Sequence, residues 1–379
     1  MKLISILQSF LGKAIFKYAL MLLSIALVSG GFNIYGFTWL PLNFVLWCSL
    51  IILSSIIIWR AGSFFSLAAK VVEEHYTIPQ SVKAAVIDAT ASSFPEFAVA
   101  VIAVIILGNA EVGIATIVGS ALYNVLMIPA AVGIVAVSPV FVSKEVIWRD
   151  NLVYISVVIV LLIVTILFPA EWGIGVALVF LAMYLGYILL LHYNFVKHKK
   201  QQNNIKKDVE NEIEKEIIKE YSIQSVKTAF AWIIGMMLLM GLASHVLVES
   251  SIALGDLLGI HKVVMAFVVI AAGTSMPDMV LSIISSRHGY YDAAISNVFG
   301  SNIFDICVCL GLPIIIALII SGHNTPVNLP QVSLLWLLLG STIIAFICFR
   351  TNKYTLTRLK AWFLGLLYVI IVIYSLFFA

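Results

Sequence analysis

Charged residues are scarce in this chain. Asp, Glu, Lys and Arg make up 11% of its 379 residues, whereas a soluble domain carries about 25%. Hydrophobic residues make up 62% of the sequence, and its mean hydropathy is +1.09. This balance excludes an ordinary soluble protein and predicts a chain that crosses a membrane many times. The formal net charge of +3 indicates little, since orientation follows from where Lys and Arg lie.

Metal-ligand and hydrolase motifs are also missing. The four cysteines (Cys48, Cys307, Cys309 and Cys348) all lie in apolar runs without CxxC or Cys/His spacing. We therefore interpret them as small packing residues. GxSxG and HExxH are absent, and the seven His lie mostly near expected loops, which argues against an intramembrane hydrolase. We expect neither enzymatic activity nor a bound cofactor.

Apolar runs of about 20 residues, long enough to span a bilayer, recur along the chain. They predict eleven spans, namely one leading helix within 1–36 and two sets of five at 37–195 and 226–379, separated by a charged cytoplasmic loop at 196–225. The leading helix has no clear cleavage site, so we favour an uncleaved span over a signal peptide. A cytoplasmic N-terminus puts every Lys and Arg except Lys262 on the inner side. The predicted location is a plasma or inner membrane, with the C-terminus outside.

Two stretches place acids and amides within strongly apolar sequence. A carboxylate inside a membrane span is energetically costly, so such a residue is a candidate for function. The stretches, 89–128 and 273–312, share one layout, in which a Pro-acid pair precedes a Gly-Ser motif and a final amide or acid. The matching residues are Pro95-Glu96 and Gly119-Ser120…Asn124 in the first stretch, and Pro277-Asp278 and Gly300-Ser301…Asp305 in the second.

The two copies are expected to run in opposite directions, because an odd number of spans separates the Glu96 helix from the Asp278 helix. Inverted repeats with interrupted helices at the membrane midplane are typical of secondary transporters, whose site lies between the repeats. This layout favours a transporter over a channel. Pro95 and Pro277 each remove a backbone donor, so we expect a broken helix and free carbonyl groups near both.

The predicted site therefore lies where the two hairpins meet. It contains only oxygen ligands, which favour Ca²⁺ or alkali cations over zinc or copper. Carboxylates confined to a few ångströms repel one another, so three of them need nearly three positive charges, or some must stay protonated. Three Na⁺ supply that charge, as does one Ca²⁺ with a monovalent cation. A site that must be neutralised before it crosses the membrane predicts exchange. Its residues are Glu96, Asn124, Asp278 and Asp305, with hydroxyls of Ser92, Ser93, Ser120, Thr274, Ser275 and Ser301.

Three further polar residues lie near these motifs. Asp88, about two turns before Glu96, is either a further ligand or proton site, or a group that is hydrated at the cytoplasmic end or caps a neighbouring helix. The repeat alignment pairs Thr116 with Asn297, and we expect both to support the ligands.

The motifs resemble those of the cation/calcium exchanger superfamily, written G-T/S-S-x-P-E/D and G-S-N/A-x-x-N/D. GTSMPD and GSNIFD match closely, whereas ASSFPE puts Ala91 where the family has glycine, which predicts a tighter backbone position there. The resemblance implies ten core helices, alternating access, and Ca²⁺ extruded against entering Na⁺. It also implies that Glu96, Asp278, Asn124 and Asp305 bind the ions.

The run SNIFDI and Asp278 are most similar to the potassium-dependent sodium/calcium exchangers, which would add K⁺ to the transported ions. The alternative is a Ca²⁺/H⁺ exchanger that uses the same carboxylates. The expected partners are inorganic cations and the lipid bilayer, with no nucleic acid. The sequence does not indicate an oligomeric state.

Overall fold

Long apolar helices form nearly all of the described structure. The computed structural model describes residues 40–76, 89–136, 139–198, 225–287, 289–327 and 332–378. Within these ranges nine helices and one bent helix pair are long and apolar enough to cross a membrane, which confirms the all-α polytopic fold. They are α1 Leu40–Tyr76, α2 Ala89–Val101, α3 Ala110–Val135, α4 Asn151–Leu167, α5 Ile174–His198, α6 Val226–Leu258, α7 Lys262–Thr274 with Met276–Arg287, α8 Tyr291–Ser321, α9 Ser333–Tyr354 and α10 Arg358–Phe378.

Some predicted features lie outside the described residues. They are the leading helix at 1–36, Asp88, and most of the charged loop at 196–225. The first five described helices precede that loop and the other five follow it. The domain boundaries themselves stay predictions.

Three π-helical segments adjoin or interrupt the α-helices. A π-helix at Ile102–Ile106 continues α2, another at Val146–Asp150 precedes α4, and a third at Ala266–Ile270 lies within α7. The two parts of α7 meet at Ser275 and are bent by 44°.

The prediction of a break at both prolines is correct for α7 and wrong for α2. Helix α2 remains α-helical from Ala89 to Val101 with Pro95 inside it. Ala91 in α2 occupies the position that Gly273 has in α7, and Ala favours a helix over Gly by about 1 kcal/mol, which favours the continuous helix. Pro95 nevertheless lacks the N–H group that would bond to the carbonyl of Ala91.

The pattern of helix contacts stays the same when the two sets of five helices are exchanged. Helix α1 packs on its counterpart α6, and α4 packs on its counterpart α9. The contact of α3 with α10 is matched by that of α8 with α5, and the contact of α2 with α8 by that of α7 with α3. Each contact recurs when every helix is replaced by its counterpart, so the two sets are related by a pseudo-twofold axis.

Four two-residue strands show that the two sets are inverted. Strand β1 (Val140–Phe141) follows α3, β2 (Glu171–Trp172) follows α4, β3 (Thr325–Pro326) follows α8 and β4 (Thr355–Leu356) follows α9. β1 pairs antiparallel with β4, and β2 pairs antiparallel with β3. The loop after the third helix of one set thus meets the loop after the fourth helix of the other. These loops share a membrane side only if the two sets cross in opposite directions.

The centre of the bundle is formed by α3 and α8. In the apolar stretch of α3, 83% of the residues are buried, compared with 28% in α1 and in α6. The corresponding fraction is 61% in both α2 and α8. Three of the helices that carry the sequence motifs, α2, α3 and α8, are therefore largely enclosed by the other helices.

Candidate cation site

The predicted acids lie together in the protein interior, where α2, α3, α7 and α8 meet. Glu96, Asp278 and Asp305 have no exposed surface, and neither does Asn124. Within the described ranges no Lys or Arg side chain bonds to these acids, and the ion pair Arg149–Asp150 involves other residues. Buried charges without partners are strongly unfavourable, so these carboxylates require cations or protons.

One half of the site is built around Ser120. Its hydroxyl donates to Oε1 of Glu96 at 3.2 Å and lies 2.8 Å from the hydroxyl of Ser275. The Ser275 hydroxyl also reaches Oε1 of Glu96, at 3.5 Å. Thr274 is a neighbour of the Glu96 carboxyl and donates to the carbonyl of Ala271 at 3.2 Å. Glu96 of the first repeat is thus surrounded by hydroxyls from both repeats.

The other half has the same arrangement around Ser301. Its hydroxyl donates to Oδ2 of Asp278 at 2.6 Å and lies 2.9 Å from the hydroxyl of Ser93. Ser92 is a neighbour of the Asp278 carboxyl, and its hydroxyl donates to the carbonyl of Ala89 at 3.4 Å. Each motif serine therefore bonds to the acid of its own repeat and to a serine of the other.

Asn124 and Asp305, which end the two motifs, differ in charge and in surroundings. Nδ2 of Asn124 donates to Oδ2 of Asp278 at 3.2 Å and to Oδ1 of Asn302 at 2.9 Å. Asp305 is close enough to Glu96 and Asp278 to be repelled by both, and Ser93 and Ser120 are its polar neighbours. Sγ of Cys309 lies 3.9 Å from Oδ1 of Asp305.

Three buried oxygen atoms of the site have no hydrogen-bond partner among the described residues. They are Oε2 of Glu96, Oδ1 of Asn124 and Oδ2 of Asp305. Buried acceptors are normally satisfied, and an unsatisfied one calls for an explanation such as a bound ion or water. All three atoms are hard oxygen donors of the kind that Ca²⁺ and alkali cations prefer.

The carboxyl groups converge less than the sequence predicted. No three His, Cys, Asp or Glu side chains in the described part of the chain are placed to hold one metal ion. Glu96 and Asp278 are each hydrogen-bonded to a serine of their own repeat. A bound cation therefore requires hydroxyl, amide or backbone oxygens beside the carboxylates.

Sequence reasoning missed two contacts of the site. Asn302 was not among the predicted ligands, although its polar side chain beside Ser301 in an apolar run was the available signal. Cys309, interpreted as a packing residue, contacts Asp305 and the carbonyl of Ser93. The contact with Asp305 follows from the i,i+4 spacing of the two residues within α8. The contact with Ser93 has no signal in the sequence, because it depends on how α2 and α8 cross.

The two residues expected to support the ligands behave differently. Asn297 donates to Oδ1 of Asp278 at 3.1 Å, as expected. The hydroxyl of Thr116 donates at 2.8 Å to the carbonyl of Val112, one turn earlier in the same helix. Among the described contacts, the Thr116 hydroxyl therefore bonds to a backbone carbonyl of its own helix and to no ligand residue, as is common for buried threonines.

Two glycines allow the helices to approach closely. A Cβ at Gly119 would lie 2.0 Å from the carbonyl oxygen of Phe267 in α7. A Cβ at Gly273 would lie 2.8 Å from Leu247 in α6. At the corresponding position of the first repeat, the methyl group of Ala91 lies in a small apolar cluster with Phe65. The close approach is thus measured at Gly273, and the tightness expected at Ala91 stays a prediction.

The model of the sodium/calcium exchanger protein family matches residues 45–193 and again residues 228–377. The chain belongs to this family. The two matches coincide with α1–α5 and α6–α10, so the family unit is the five-helix repeat. This confirms the superfamily resemblance, and it makes the protein a member of a family of secondary transporters, which are not enzymes.

Curated relatives differ in how much of their length matches. Human sodium/potassium/calcium exchanger 4 is 35% identical over 136 residues, which cover 35% of this chain and 22% of that protein. The inner membrane protein YrbG of Escherichia coli (strain K12) is 26% identical over 306 residues, 80% of this chain and 89% of that protein. The match thus spans about a fifth of the human exchanger (22%) but most of YrbG.

Solved structures share the fold. The H⁺/Ca²⁺ exchanger CAX superposes with a TM-score of 0.69 at 17% identity and covers 94% of this chain and 88% of that one. The sodium–calcium exchanger NCX_Mj superposes with a TM-score of 0.56 at 20% identity and covers 87% of this chain and 98% of that one. At these identities the likeness concerns the arrangement of helices.

Proposed function

We propose that this protein is a secondary antiporter that exchanges Ca²⁺ for Na⁺ by alternating access. The observation that carries the proposal is the set of three buried carboxylates that have no basic partner in the described part of the chain, two of which present an oxygen without a hydrogen bond there. Such a site is stable only when cations or protons occupy it. The inverted repeats supply two equivalent halves, which is the layout expected for a site that opens to each side in turn.

Glu96 and Asp278 are the proposed central ligands, since they lie on the two Pro-containing helices and face hydroxyls from both repeats. The unpartnered oxygens of Asn124 and Asp305 complete the set of side-chain ligands. Ser92, Ser93, Ser120, Thr274, Ser275 and Ser301 provide the neutral oxygens. Ca²⁺ takes six to eight oxygen ligands in proteins, and this set is large enough to supply them.

Na⁺ is the proposed coupling ion because the site is rich in neutral oxygens. A proton needs only a carboxylate, whereas an alkali cation must replace a hydration shell with several oxygens. Hydroxyls lie beside both Glu96 and Asp278. Asp305 stands where the first repeat has the neutral Asn124. Its extra charge is suited to a further monovalent cation, so we propose that K⁺ accompanies Ca²⁺ there, as the name of the human relative suggests.

Proton coupling is the second candidate. It is favoured by the likeness to the H⁺/Ca²⁺ exchanger CAX, and the same buried carboxylates are able to hold protons when Ca²⁺ leaves.

For either coupling ion, we propose an orientation with a cytoplasmic N-terminus and an external C-terminus in a plasma or inner membrane. That orientation places all Lys and Arg except Lys262 on the cytoplasmic side.

The test is Ca²⁺ uptake into proteoliposomes that contain the purified full-length chain. Vesicles loaded with Na⁺ are diluted into Na⁺-free medium with or without K⁺, and a parallel set carries an outward proton gradient instead. Na⁺-driven uptake that rises with K⁺ is the expected result. Na⁺-driven uptake indifferent to K⁺ removes the proposed K⁺ role, and uptake driven by protons alone overturns the Na⁺ proposal. Absence of gradient-driven uptake in all three conditions contradicts the exchanger proposal.

A further inference from the structure

The two halves of the site differ at one position beside the motif serines. Ser120 is followed by Ala121, whereas its counterpart Ser301 is followed by Asn302. Both residues are fully buried. The hydroxyl contacts around Ser120 and Ser301 obey the pseudo-twofold, so Asn302 adds an amide that the first half does not have.

Asn302 forms two hydrogen bonds to α3 of the other repeat. Its Nδ2 donates to the carbonyl oxygen of Ala121 at 3.0 Å, and its Oδ1 accepts from Nδ2 of Asn124 at 2.9 Å. A carbonyl oxygen can only accept, so Ala121 determines which end of the Asn302 amide faces it. Oδ1 of Asn302 must then point to Asn124, where only an N–H group can donate to it.

The orientation of Asn302 therefore determines the orientation of Asn124. Because Nδ2 of Asn124 is held by Asn302, its Oδ1 is the atom left without a partner in the buried site. We propose that Asn302 is a positioning residue that keeps the carbonyl oxygen of Asn124 available to the transported cation. The proposal rests on the proposed function, since it assigns a cation to that oxygen.

Asp278 also accepts from Nδ2 of Asn124, at 3.2 Å, but it is itself a proposed ion ligand. When a cation binds Asp278, the carboxylate oxygens turn to the ion and the bond to Asn124 weakens. The bond from Asn302 to Ala121 involves no proposed ligand, so a bound cation does not compete for it. Without it, the Asn124 amide is free to rotate its NH₂ group toward the site, where it repels a cation.

The experiment measures the KM for Ca²⁺ and the maximal rate of exchange for Asn302→Ala in proteoliposomes. We expect the KM to rise about tenfold, which matches the loss of one ligand oxygen, while the maximal rate per folded molecule stays within about twofold. Asn302→Leu removes the amide but keeps a similar side-chain volume, so it distinguishes the loss of the amide from a packing defect. The same variant replaces Asn302→Ala in the measurement if Asn302→Ala does not fold. An unchanged KM in a folded variant overturns the proposal.

Two further variants distinguish positioning from a purely structural effect. Asn151→Ala removes another fully buried amide, one without hydrogen-bond partners among the described residues, and we expect it to leave the KM unchanged. Adding Asn302→Ala to Asn124→Ala should raise the KM little further, because the oxygen that Asn302 positions is already gone. Additive effects of the two substitutions contradict the proposal.

Failure of this inference is distinguishable from failure of the proposed function. If the unaltered protein shows no gradient-driven Ca²⁺ uptake, the exchanger proposal is wrong and a KM for transport cannot be measured. In that case the rise in Tm on addition of Ca²⁺ to the purified protein still reports cation binding. A Ca²⁺-dependent rise that is equal in the unaltered protein and in Asn302→Leu then overturns the positioning role independently of transport.

Discussion

The hydroxyl groups of Ser120 and Ser275 lie 2.8 Å apart, although 155 residues separate them in the chain. The counterpart pair, Ser93 and Ser301, lies 2.9 Å apart across 208 residues. Because Ser120 and Ser301 also bond to Glu96 and Asp278, each acid is linked to both repeats. The site is therefore a property of the interface between the repeats, and neither repeat forms it alone.

We expect Ser120→Ala and Ser275→Ala to weaken Ca²⁺ binding non-additively. Each substitution removes the same hydroxyl contact and one neighbour of Glu96, so the double variant should lose less than the sum. Coupling between contacting residues is typically about 0.5–3 kcal/mol. The measurement is a double-mutant cycle on the Ca²⁺-induced rise in Tm of the purified protein.

The matched control for that cycle combines Ser120→Ala with Ser301→Ala. These two serines occupy equivalent positions, but the described hydrogen bonds do not join them. Their effects should add within about 0.5 kcal/mol. Equal coupling in both cycles indicates a general loosening of the site, which contradicts a specific link between Ser120 and Ser275.

Asp278→Asn should abolish Ca²⁺ transport while the protein still folds. The substitution keeps the side-chain shape and removes one of three buried charges that have no Lys or Arg partner among the described residues. Removal of an uncompensated buried charge relieves repulsion, so the ion-free variant should be at least as stable as the unaltered protein. We expect its Tm without Ca²⁺ to be equal or higher, and its Ca²⁺-induced rise in Tm to disappear.

Glu249→Gln is the control for this prediction. Glu249 also lies within a candidate span, in α6, but its side chain is exposed on the bundle surface. Transport and the Ca²⁺-induced rise in Tm should both be retained. Normal Ca²⁺ flux in Asp278→Asn, or equal losses in the two variants, would show that the assigned site is wrong.

Gly119→Ala should destabilise the protein, whereas Gly300→Ala should not. The two glycines occupy equivalent positions in the repeats, yet the new Cβ lies 2.0 Å from the Phe267 carbonyl oxygen in the first case. In the second case its nearest neighbour is the Tyr187 hydroxyl, at 3.7 Å. Overpacking costs about 1–3 kcal/mol, and an unhindered Gly-to-Ala change in a helix is favourable by about 0.5–1 kcal/mol. The measurement is the Tm of each variant, and equal changes in Tm refute the close approach of α3 to α7.

Asp305→Asn should lower the total positive charge of the cations that the site must bind. It reduces the three buried carboxylates to two and gives the second repeat the same terminal amide as the first. Neutralisation then needs one fewer positive charge, so we expect one fewer monovalent cation per Ca²⁺. The reversal potential of exchange in proteoliposomes reports this ratio. An unchanged reversal potential means that Asp305 does not contribute to coupling.

Much of the site was predictable because acids and amides are rare in membrane spans. Glu96, Asp278 and Asp305 stand out for that reason, and the repeated Pro-acid and Gly-Ser motifs indicate that they belong together. Asn302 was equally visible but had no assignable role, since its partners lie on α3, about 180 residues earlier. The intact helix at Pro95 was also unpredictable, because proline in a membrane helix is tolerated when neighbouring groups compensate.

By itself the sequence determined the membrane environment, the two opposed sets of five helices and the acids that require a cation. These follow from hydropathy, from an odd number of spans and from the cost of burying charge. Only the tertiary structure decided which oxygens share a partner and which remain free. That choice depends on helices crossing within ångströms, as where Gly119 meets Phe267, and on the hydrogen bonds that orient Asn124. Sequence spacing indicates which residues share one face of a single helix. Which oxygen atoms remain without a hydrogen bond depends on contacts among four helices.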